Sequence, residues 1–379
     1  MKLQTLIFSR IIRYSSTYNP VFKASDVEII PIKNKNPVST SFDFGANFTD
    51  HMLTIDWDDK NGWHRPVISE FRNFDMHPAS SILHYAIGSF EGMKAHRCED
   101  GRVRLFRPME NMERLVRSSE RSCLPTFDTK ELLKLIKKLV KIDERFVPNE
   151  DDQSLYIRPA IISTSPILGL NIPTNARLFV VNSPVGFYYK EGIKPLSLLA
   201  DPKYVRATYG GCGQYKMAAN YAPTVAIQRE AANMGCSQVL WLYGEEHFIT
   251  EVGTMNIFVH LTTESGENQV VTHPLDGLIL PGVTRKSIIE ILQDSDKYQI
   301  VERNMSMKEL VKAVHENRVH EIIGCGTACV VSCVGNIKYL GEELRIPCPK
   351  DGSLFEMLLG HFKEIKRSKK DHPWLEPID

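Results

Sequence analysis

A lysine that follows a run of glycines is the clearest candidate for chemistry in this sequence. The run Gly210-Gly211-Cys212-Gly213-Gln214-Tyr215 comes directly before Lys216, and good helix formers follow it. Glycine permits backbone angles that other residues resist, so such a loop can let a bulky ligand come close. A lysine amine that is partly desolvated can act as a nucleophile. We therefore predict a reactive amine on the first turn of a helix over about Met217 to Met234. The alternative is an ordinary solvated lysine beside a surface turn.

Two familiar glycine-loop motifs are excluded by the residues around Lys216. A Walker A loop requires serine or threonine directly after its lysine, and Met217 stands there. The dinucleotide fingerprint G-x-G-x-x-G requires a glycine at the position that Lys216 occupies. The loop belongs to neither class.

Two other turns have the composition of an anion site. In Leu280-Pro281-Gly282-Val283-Thr284 a loop ends and a helix is predicted to begin, so the amides of Val283 and Thr284 would point outward. Gly324-Cys325-Gly326-Thr327-Ala328 offers a hydroxyl and exposed amides in a nest-like turn. Arg114, on a predicted helix, can add a bidentate guanidinium contact to the same anion, for example a phosphate. Each feature is also common as an ordinary turn or a surface arginine.

An acidic residue and a tyrosine are candidates for contacts with a ring. Glu251 lies next to apolar strands, where a carboxylate is costly unless it has a partner. An ionised glutamate would keep the nitrogen of a bound pyridine ring protonated and so make the ring an electron sink. Tyr221, five residues after Lys216, could donate to a ring oxygen. The alternatives are an exposed acid in a turn and a core aromatic.

Strands and helices intermix in both halves of the chain, and these elements must position the candidates. Periodicity and turn residues predict strands at 48–57, 103–106, 155–162, 178–185, 196–199, 238–243, 248–250, 256–261 and 321–323. Helices are predicted from Pro78 to Phe90, after Pro108, after Asp128, and over 283–292 and 354–366, with Ser306 capping another. The fold class is α+β or α/β. We predict two domains, at 26–185 and 196–379, joined by a linker at 186–195.

Composition limits the classes of partner. The 379 residues carry 46 basic and 46 acidic side chains, which argues against a general polyanion or nucleic-acid binder. No stretch approaches the about 20 apolar residues that a membrane helix requires. The eight cysteines lack the paired spacing of a structural zinc site, although Cys325, Cys329 and Cys333 could share a helix face. We expect no metal site.

The first 25 residues differ from the rest of the chain. They carry lysines, arginines and hydroxyl residues, and no acidic residue precedes Asp26. Leucines and isoleucines recur at roughly helical spacing, as in a mitochondrial transit peptide. A mitochondrial matrix protein is the prediction, a basic tail on a cytoplasmic protein is the alternative, and we exclude residues 1–25 from the predicted fold.

Taken together, these residues resemble one family. From Phe44 to about Asn336 the chain is similar to the branched-chain-amino-acid aminotransferases, pyridoxal-phosphate enzymes of fold type IV (the D-amino-acid-aminotransferase-like fold). The matching motifs are Asn47-Phe48-Thr49-Asp50-His51-Met52-Leu53, His77-Pro78-Ala79-Ser80-Ser81, Leu83-His84-Tyr85, Phe90-Glu91-Gly92-Met93-Lys94-Ala95, Leu105-Phe106-Arg107-Pro108, Tyr156-Ile157-Arg158-Pro159, Ala200-Asp201-Pro202, the glycine loop with Lys216 and Asn220-Tyr221, Thr250-Glu251-Val252-Gly253-Thr254-Met255-Asn256-Ile257-Phe258, Leu280-Pro281-Gly282-Val283 and Gly326-Thr327-Ala328.

The resemblance implies a role for each candidate. Lys216 would link covalently to pyridoxal 5'-phosphate and move the proton, Glu251 would hold the ring nitrogen, and Tyr221 the ring hydroxyl. The phosphate would be bound by Arg114, Val283, Thr284 and Thr327. The apolar pocket for the substrate would be lined by Phe44, Tyr85, Phe90, Tyr156 and Tyr188. The substrate carboxylate would meet Thr254 and Ala328, with Arg158 nearby. Leu168 and Leu170 would reach into the pocket of a partner in a homodimer.

The resemblance also implies an activity, with rivals. The enzyme would transfer the amino group of leucine, isoleucine or valine to 2-oxoglutarate in a reversible ping-pong reaction, with its net direction in the cell left open. Rivals are a lyase or D-amino-acid transaminase of the same fold, and a non-catalytic scaffold. One departure is plain: Ser332 stands where mammalian mitochondrial members carry the second cysteine of a C-x-x-C pair, and Cys333 follows it. A regulatory dithiol is therefore in doubt.

Overall fold

Two β-sheets, one built largely from each half of the chain, organise the protein. The computed structural model describes residues 21–33, 35–38, 41–186, 194–347, 350–368 and 372–379. The strands of the first half are β1 (Glu28–Ile29), β2 (His51–Asp58), β3 (Gly62–Trp63), β4 (Val67–Glu70), β5 (Gly88–Phe90), β6 (Met93–Arg97), β7 (Val103–Phe106), β8 (Ser154–Ser163) and β9 (Asn175–Val185). Its helices are α1 (Ser81–Tyr85), α2 (Pro108–Arg121) and α3 (Thr129–Ile142).

The second half contributes its own sheet and helices. Its strands are β10 (Leu196–Ala200), β11 (Gln238–Tyr243), β12 (Phe248–Val252), β13 (Met255–Thr262), β14 (Asn268–Thr272), β15 (Gln299–Glu302), β16 (Val319–Gly326), β17 (Val330–Tyr339) and β18 (Glu342–Arg345). Its helices are α4 (Thr224–Asn233), α5 (Val283–Gln293), α6 (Met307–His315) and α7 (Leu354–Arg367). The chain ends on β19 (Leu375–Pro377).

The sheet orders show how the two halves interlock. The first sheet runs β1-β4-β2-β9-β8-β6-β7-β19, with β3 and β5 paired to β2 and β8. The second runs β12-β11-β10-β17-β16-β13-β14-β15, with β18 paired to β17. Most pairs are antiparallel, and β10 lies parallel to both of its neighbours. Because β19 pairs with β7, the C-terminus returns to the first sheet after the second is complete.

Helix α3 shows how local sequence sets an element of the first core. Asp128 caps it by accepting from the amides of Lys130 and Glu131, as the capping pattern predicts. Leucines at 132, 135 and 139 are fully buried against the sheet. Burying each such side chain contributes roughly 1.5–3 kcal/mol. The Glu131 carboxylate accepts from the amide of Ala24 instead of closing a capping box.

Three expectations about elements are wrong. The helix predicted from Pro78 to Phe90 is only α1, and Phe90 ends strand β5. The helix predicted from Met217 is a short 3-10 turn at Ala218–Asn220, followed by α4. The exclusion of residues 1–25 was too wide, since Phe22 is buried against Trp63 in the first core.

Residues 1–20 lie outside the described residues, so the leader stays a prediction. The linker 186–195 lies mostly outside them too, and the domain boundaries also stay predictions.

The described residues contain neither of two features that would indicate a membrane or a metal as a partner. No helix among them is long and apolar enough to cross a membrane. In the same ranges, no group of three or more histidine, cysteine, aspartate or glutamate side chains is placed to hold a metal ion.

Candidate active site

A cavity of about 510 Å³ lies where the two halves of the chain meet. Its walls come from β5 and β8 of the first sheet and from β12, β13, β16 and the start of α5 in the second half. Most of the predicted site residues line it: Phe44, Phe90, Arg114, Tyr156, Arg158, Lys216, Tyr221, Glu251, Thr254, Val283, Thr284, Thr327 and Ala328. The structure therefore brings together residues that are up to 284 positions apart in sequence (44 to 328).

Lys216 is held by backbone contacts and enters the cavity from one side. Its amide donates to the Ser118 hydroxyl at 2.9 Å, and its carbonyl accepts from the amide of Phe90 at 3.1 Å. Its ammonium donates to the Tyr221 hydroxyl at 3.2 Å and lies 4.9 Å from the centroid of the Phe90 ring. Lys216 precedes the 3-10 turn and Met217 is extended, so the lysine is not on the first turn of a helix as predicted.

The glycines of the loop allow close packing against neighbouring residues, and they are not placed to let a ligand come close. A Cβ at Gly213 would lie 2.5 Å from the Leu278 carbonyl oxygen and 2.6 Å from Ala207 Cβ. Gly210 has φ of +76°, which favours glycine. The Asn220 side chain holds the loop by donating to the carbonyls of Cys212 and Tyr215. The glycines therefore fix the backbone that leads to the lysine, and none of them lines the cavity.

Glu251 is buried at the end of β12, not exposed in a turn. It accepts from the Leu280 amide and from the Asn256 side chain, each at 3.1 Å. Arg206 Nε forms an ion pair with its other oxygen at 2.5 Å. Burial raises the pKa of the Glu251 carboxyl, and the nearby Arg206 charge opposes that rise. The arginine thus helps to keep a buried carboxylate ionised.

Another part of the cavity lining has the chemistry of an anion site. Helix α5 begins at Val283 after an extended Gly282, as predicted, and its N-cap residue Gly282 has no side chain that could cap the first amides. Uncapped amides and the helix dipole attract negative charge. Thr327, in the turn between β16 and β17, also lines this region. A Cβ at Gly282 would lie 2.1 Å from Asn256 Oδ1, so a glycine is required where this turn packs on β13.

Arg114 reaches the cavity with a fixed partner that the sequence did not reveal. Its Nε and Nη2 donate to the Glu91 carboxylate at 2.6 and 2.8 Å, and Nη1 donates to the Pro281 carbonyl. Asn111 also donates to Glu91 at 2.8 Å. Burial raises and the Arg114 charge lowers the pKa of Glu91, with a net lowering. Arg114 is thus oriented toward the start of α5 by a fully buried ion pair.

Aromatic side chains form the apolar wall. The Phe44 and Tyr156 rings contact edge to face, with centroids 4.8 Å apart. Arg158 donates to the Tyr156 hydroxyl at 2.9 Å, and its guanidinium lies 4.8 Å from the Phe90 ring centroid. A Cβ at Gly92 would lie 2.0 Å from the Tyr156 hydroxyl oxygen. Glycine at 92 therefore makes the room in which this tyrosine stands.

Four predicted site residues are not found in the cavity: three lie outside it, and one lies outside the described residues. Tyr85 does not line the cavity, and its hydroxyl donates to the Leu168 carbonyl. Leu168 and Leu170 are 64% and 71% exposed on the surface. Tyr188 lies outside the described residues.

Several polar residues of the site were not predicted from the sequence. Arg206 pairs with Glu251, Asn256 bridges Glu251 and the Leu280 carbonyl, and Gln238 lines the cavity. Lys94 donates to the Ala328 carbonyl at 2.8 Å. Lys94 and Asn256 stand inside motifs that carried the resemblance, which was the only signal available for them.

The cysteines near the last turn are not on a helix. Cys325 is in β16, Cys333 is in β17 and Cys329 is in the turn between them, so the expected shared helix face is wrong. Cys329 lines the cavity and its sulfur lies 3.0 Å from that of Met255.

Comparisons with known proteins bear on the family and the fold of the chain. The model of the family Amino-transferase class IV matches residues 88–335. The mitochondrial branched-chain-amino-acid aminotransferase of Bos taurus is 47% identical over 374 residues, covering 97% of this chain and 94% of that protein. The cytosolic branched-chain-amino-acid aminotransferase of Mus musculus is 47% identical over 366 residues, covering 96% and 95%. A solved branched-chain amino acid aminotransferase from Thermobaculum terrenum, in its PLP form, shares the fold with a TM-score of 0.70 at 17% identity, covering 88% of this chain and 99% of that one.

The chain belongs to the class IV aminotransferases. Within that family it belongs with the branched-chain-amino-acid aminotransferases, because the identity to them extends over nearly its whole length. The predicted family, its enzymatic class and the fold type IV architecture are confirmed. The relatives include both mitochondrial and cytosolic proteins.

Proposed function

We propose that this enzyme transfers the amino group of leucine, isoleucine or valine to 2-oxoglutarate, reversibly and in ping-pong fashion, with pyridoxal 5'-phosphate as its cofactor. One observation carries the proposal: the Lys216 amine shares a single cavity with a buried carboxylate, Glu251, and with the uncapped start of α5. The donor set fits the cofactor, which has an anionic phosphate, a basic ring nitrogen and an aldehyde.

Each part of the cofactor has a matching group in the cavity. Val283, Thr284, Thr327 and Arg114 would hold the phosphate, since amides at a helix start, a hydroxyl and a guanidinium all donate to anions. Glu251 would accept from the protonated ring nitrogen. Tyr221, which accepts from the Lys216 ammonium, would hold the ring oxygen. When bound, pyridoxal phosphate supplies an electron sink that stabilises negative charge at the substrate carbon.

The task of Lys216 would be to link to the cofactor and then to move a proton at its Nζ. The contacts of Lys216 with Ser118 and Phe90 fix its backbone, so the side chain swings from a rigid base. The Phe90 and Tyr221 rings, 4.9 and 5.6 Å from Nζ, limit the water around the amine.

Substrate selection would come from the aromatic wall. Phe44, Phe90 and Tyr156 present apolar surface to a branched side chain, whereas Tyr85 lies outside this cavity. Tyr188 would extend the wall. Apolar pockets discriminate between one methylene more or less only by about 1–3 kcal/mol, so all three branched amino acids should be accepted. The Thr254 hydroxyl and the Ala328 amide would receive the substrate carboxylate. Arg158 and the Tyr156 hydroxyl would let the same wall accept the second carboxylate of glutamate.

A homodimer would complete this pocket, because exposed Leu168 and Leu170 are apolar side chains that a partner would cover. A mitochondrial matrix location follows from the composition of the leader, with the cytoplasm as the alternative.

The test begins with Lys216→Ala and a matched control, Lys308→Ala, which removes an exposed lysine of α6. Lys216→Ala should lower transamination of leucine by more than about a thousandfold, whereas Lys308→Ala should leave it unchanged. In the unaltered enzyme, borohydride should fix one cofactor on the tryptic peptide that contains Lys216. Ordinary turnover by Lys216→Ala would overturn the proposal.

A screen of amino donors separates the rivals. Preference for L-leucine over D-alanine and aminodeoxychorismate supports the proposed substrate class, and the reverse order would assign the site to a D-amino-acid transaminase or a lyase. Double-reciprocal plots for leucine and 2-oxoglutarate should be parallel, as ping-pong kinetics require.

A further inference from the structure

A second cavity, of about 260 Å³, lies behind the turn that closes the first one. Ala328 and Cys329 line both cavities, so the turn is a thin wall between them. Strand β6, helix α7, the start of β17, residues 151–154, Gly186 and Lys194 also line it. The activity proposed above makes no use of this second space.

The described lining of the second cavity carries more positive than negative charge, with four lysines against two aspartates. Lys94, which is 8% exposed, donates to the Ala328 carbonyl at 2.8 Å. The Lys366 ammonium lies 5.3 Å from the centroid of the Phe362 ring and 5.5 Å from that of Phe106. In the part of the chain that the structure describes, neither ammonium lies within ion-pair distance of a carboxylate. A buried cation such as Lys94 is costly unless an anion accompanies it, and Lys366 is half-buried.

A third group adds an unused polar atom. His96 is 7% exposed and lines the same cavity, and its Nε2 has no hydrogen-bond partner among the residues that the structure describes. Native structures rarely leave a buried side-chain nitrogen unsatisfied, so such an atom indicates a bound water, ion or ligand. Of the two aspartates in the lining, Asp151 is paired with Lys363 at 2.7 Å and with Arg367 at 3.0 Å, and Asp152 is exposed.

The directions of the pKa shifts agree with two enclosed ammonium groups that have no carboxylate beside them in the described part of the chain. Burial lowers the pKa of Lys94 to about 8. Burial and the repulsion of Lys94 lower the pKa of Lys366 to about 7. Burial, together with Lys366, Lys94 and Arg367, lowers the pKa of His96 well below its usual range. The other charged or titratable groups that line the space are Asp152, Lys194 and Cys329.

We propose that the second cavity binds a small oxyanion, a phosphate or a carboxylate, between Lys94, Lys366 and His96. The anion would accept from both ammonium groups and from the His96 ring nitrogen, and it would offset the excess positive charge of the described lining. The space suits an anion of a few heavy atoms. Since binding favours the charged lysines, it takes up protons and strengthens as the pH falls from about 9 to 7.

The position of the two lysines requires one precaution in the test. A narrow space of about 20 Å³ joins Lys94, His96 and Lys366 to Val283, Thr284 and Thr327, the groups proposed for the cofactor phosphate. An anion that simply entered the cofactor site could be mistaken for the second ligand. The experiment must therefore use protein that is saturated with pyridoxal phosphate.

The experiment titrates the saturated protein with inorganic phosphate at constant ionic strength, by calorimetry in two buffers of different ionisation enthalpy. We expect one phosphate per chain, with proton uptake, and affinity at least tenfold higher at pH 7 than at pH 9. Lys366→Met should lower the affinity at least tenfold, because it removes a charged donor while keeping an apolar side chain against the two rings. Lys130→Met, which alters an exposed lysine of α3, should not change it.

The outcomes separate cleanly. Titration with acetate shows whether the oxyanion is a phosphate or a carboxylate. The site is supported if either anion binds and Lys366→Met weakens that binding. Binding of both anions that Lys366→Met leaves unchanged, binding only to cofactor-free protein, or no saturable binding of either would overturn it. If Lys366→Met does not fold, His96→Leu provides the same comparison. Loss of transaminase activity in any preparation would bear on the proposed function and not on this site.

Discussion

The buried ion pair between Glu91 and Arg114 allows a sharp prediction about stability. Glu91 is 0% exposed and Arg114 is 4% exposed, and they share two hydrogen bonds of 2.6 and 2.8 Å. Glu91→Gln keeps the shape of the side chain and removes its charge. In cofactor-free protein it leaves the buried guanidinium with no carboxylate partner among the described residues, and it turns an amide donor toward another donor.

The expected cost follows from this geometry. Removing one partner of a buried pair destabilises proteins by about 3–5 kcal/mol, because the remaining charge stays desolvated. Gln can still accept one hydrogen bond from Asn111 or Arg114, so we expect the lower end, about 3 kcal/mol. With a urea dependence of about 3 kcal/mol per molar, the unfolding midpoint should fall by roughly 1 M. The double variant Glu91→Gln with Arg114→Met should be more stable than Glu91→Gln alone.

The pH dependence has a definite sign. The pKa of Glu91 in the folded protein lies below its ordinary value of 4.5. Its contribution to stability is therefore fully present above about pH 4.5 and is lost as the pH falls through the lower folded value. The gap in unfolding free energy between wild type and Glu91→Gln should be constant near neutral pH and should narrow below pH 4.5.

The control is Glu264→Gln, which breaks an exposed ion pair with Lys312 at 2.5 Å. Exposed pairs contribute about 0–1 kcal/mol, so its urea midpoint should shift by less than about 0.3 M. Urea denaturation followed by tryptophan fluorescence and circular dichroism measures both variants. If Glu91→Gln shifted the midpoint no more than Glu264→Gln, the reasoning about the buried pair would be refuted.

Three further predictions concern the active site and one helix. Gly92→Ala places a methyl against the Tyr156 hydroxyl, so the KM for leucine should rise by about tenfold or more in steady-state assays; an unchanged KM would contradict the packing argument. Arg206→Met removes the positive charge that opposes the effect of burial on the pKa of Glu251, so this pKa should rise further. The acid limb of the pH profile of kcat/KM should then move up by about one pH unit or more. An unmoved limb would show that the arginine has no such effect. Asp128→Ala removes the cap of α3 and should lower the unfolding free energy by about 1 kcal/mol, measured by urea denaturation, and no change would indicate that the cap is redundant.

The helices that were predicted well carry local signals. Asp128 and Ser306 cap α3 and α6 through their side chains, and α5 starts directly after Gly282. Caps and apolar periodicity act within a few residues, so one stretch of sequence is enough to reveal them. The helix after Lys216 failed because good helix formers there lost to a strand-like contact of Met217 with Ser89, a residue far away in the chain.

The sequence by itself determined which residue types were available for chemistry and, through the motifs around Lys216 and Glu251, the family. Only the tertiary structure decided what holds them in place. Glu91 meets Arg114 across 23 residues, Arg206 meets Glu251 across 45, and Lys94 meets the Ala328 carbonyl across 234. Such pairs leave no local pattern, because a buried charge is satisfied by whichever group the folded sheets bring within about 3 Å of it.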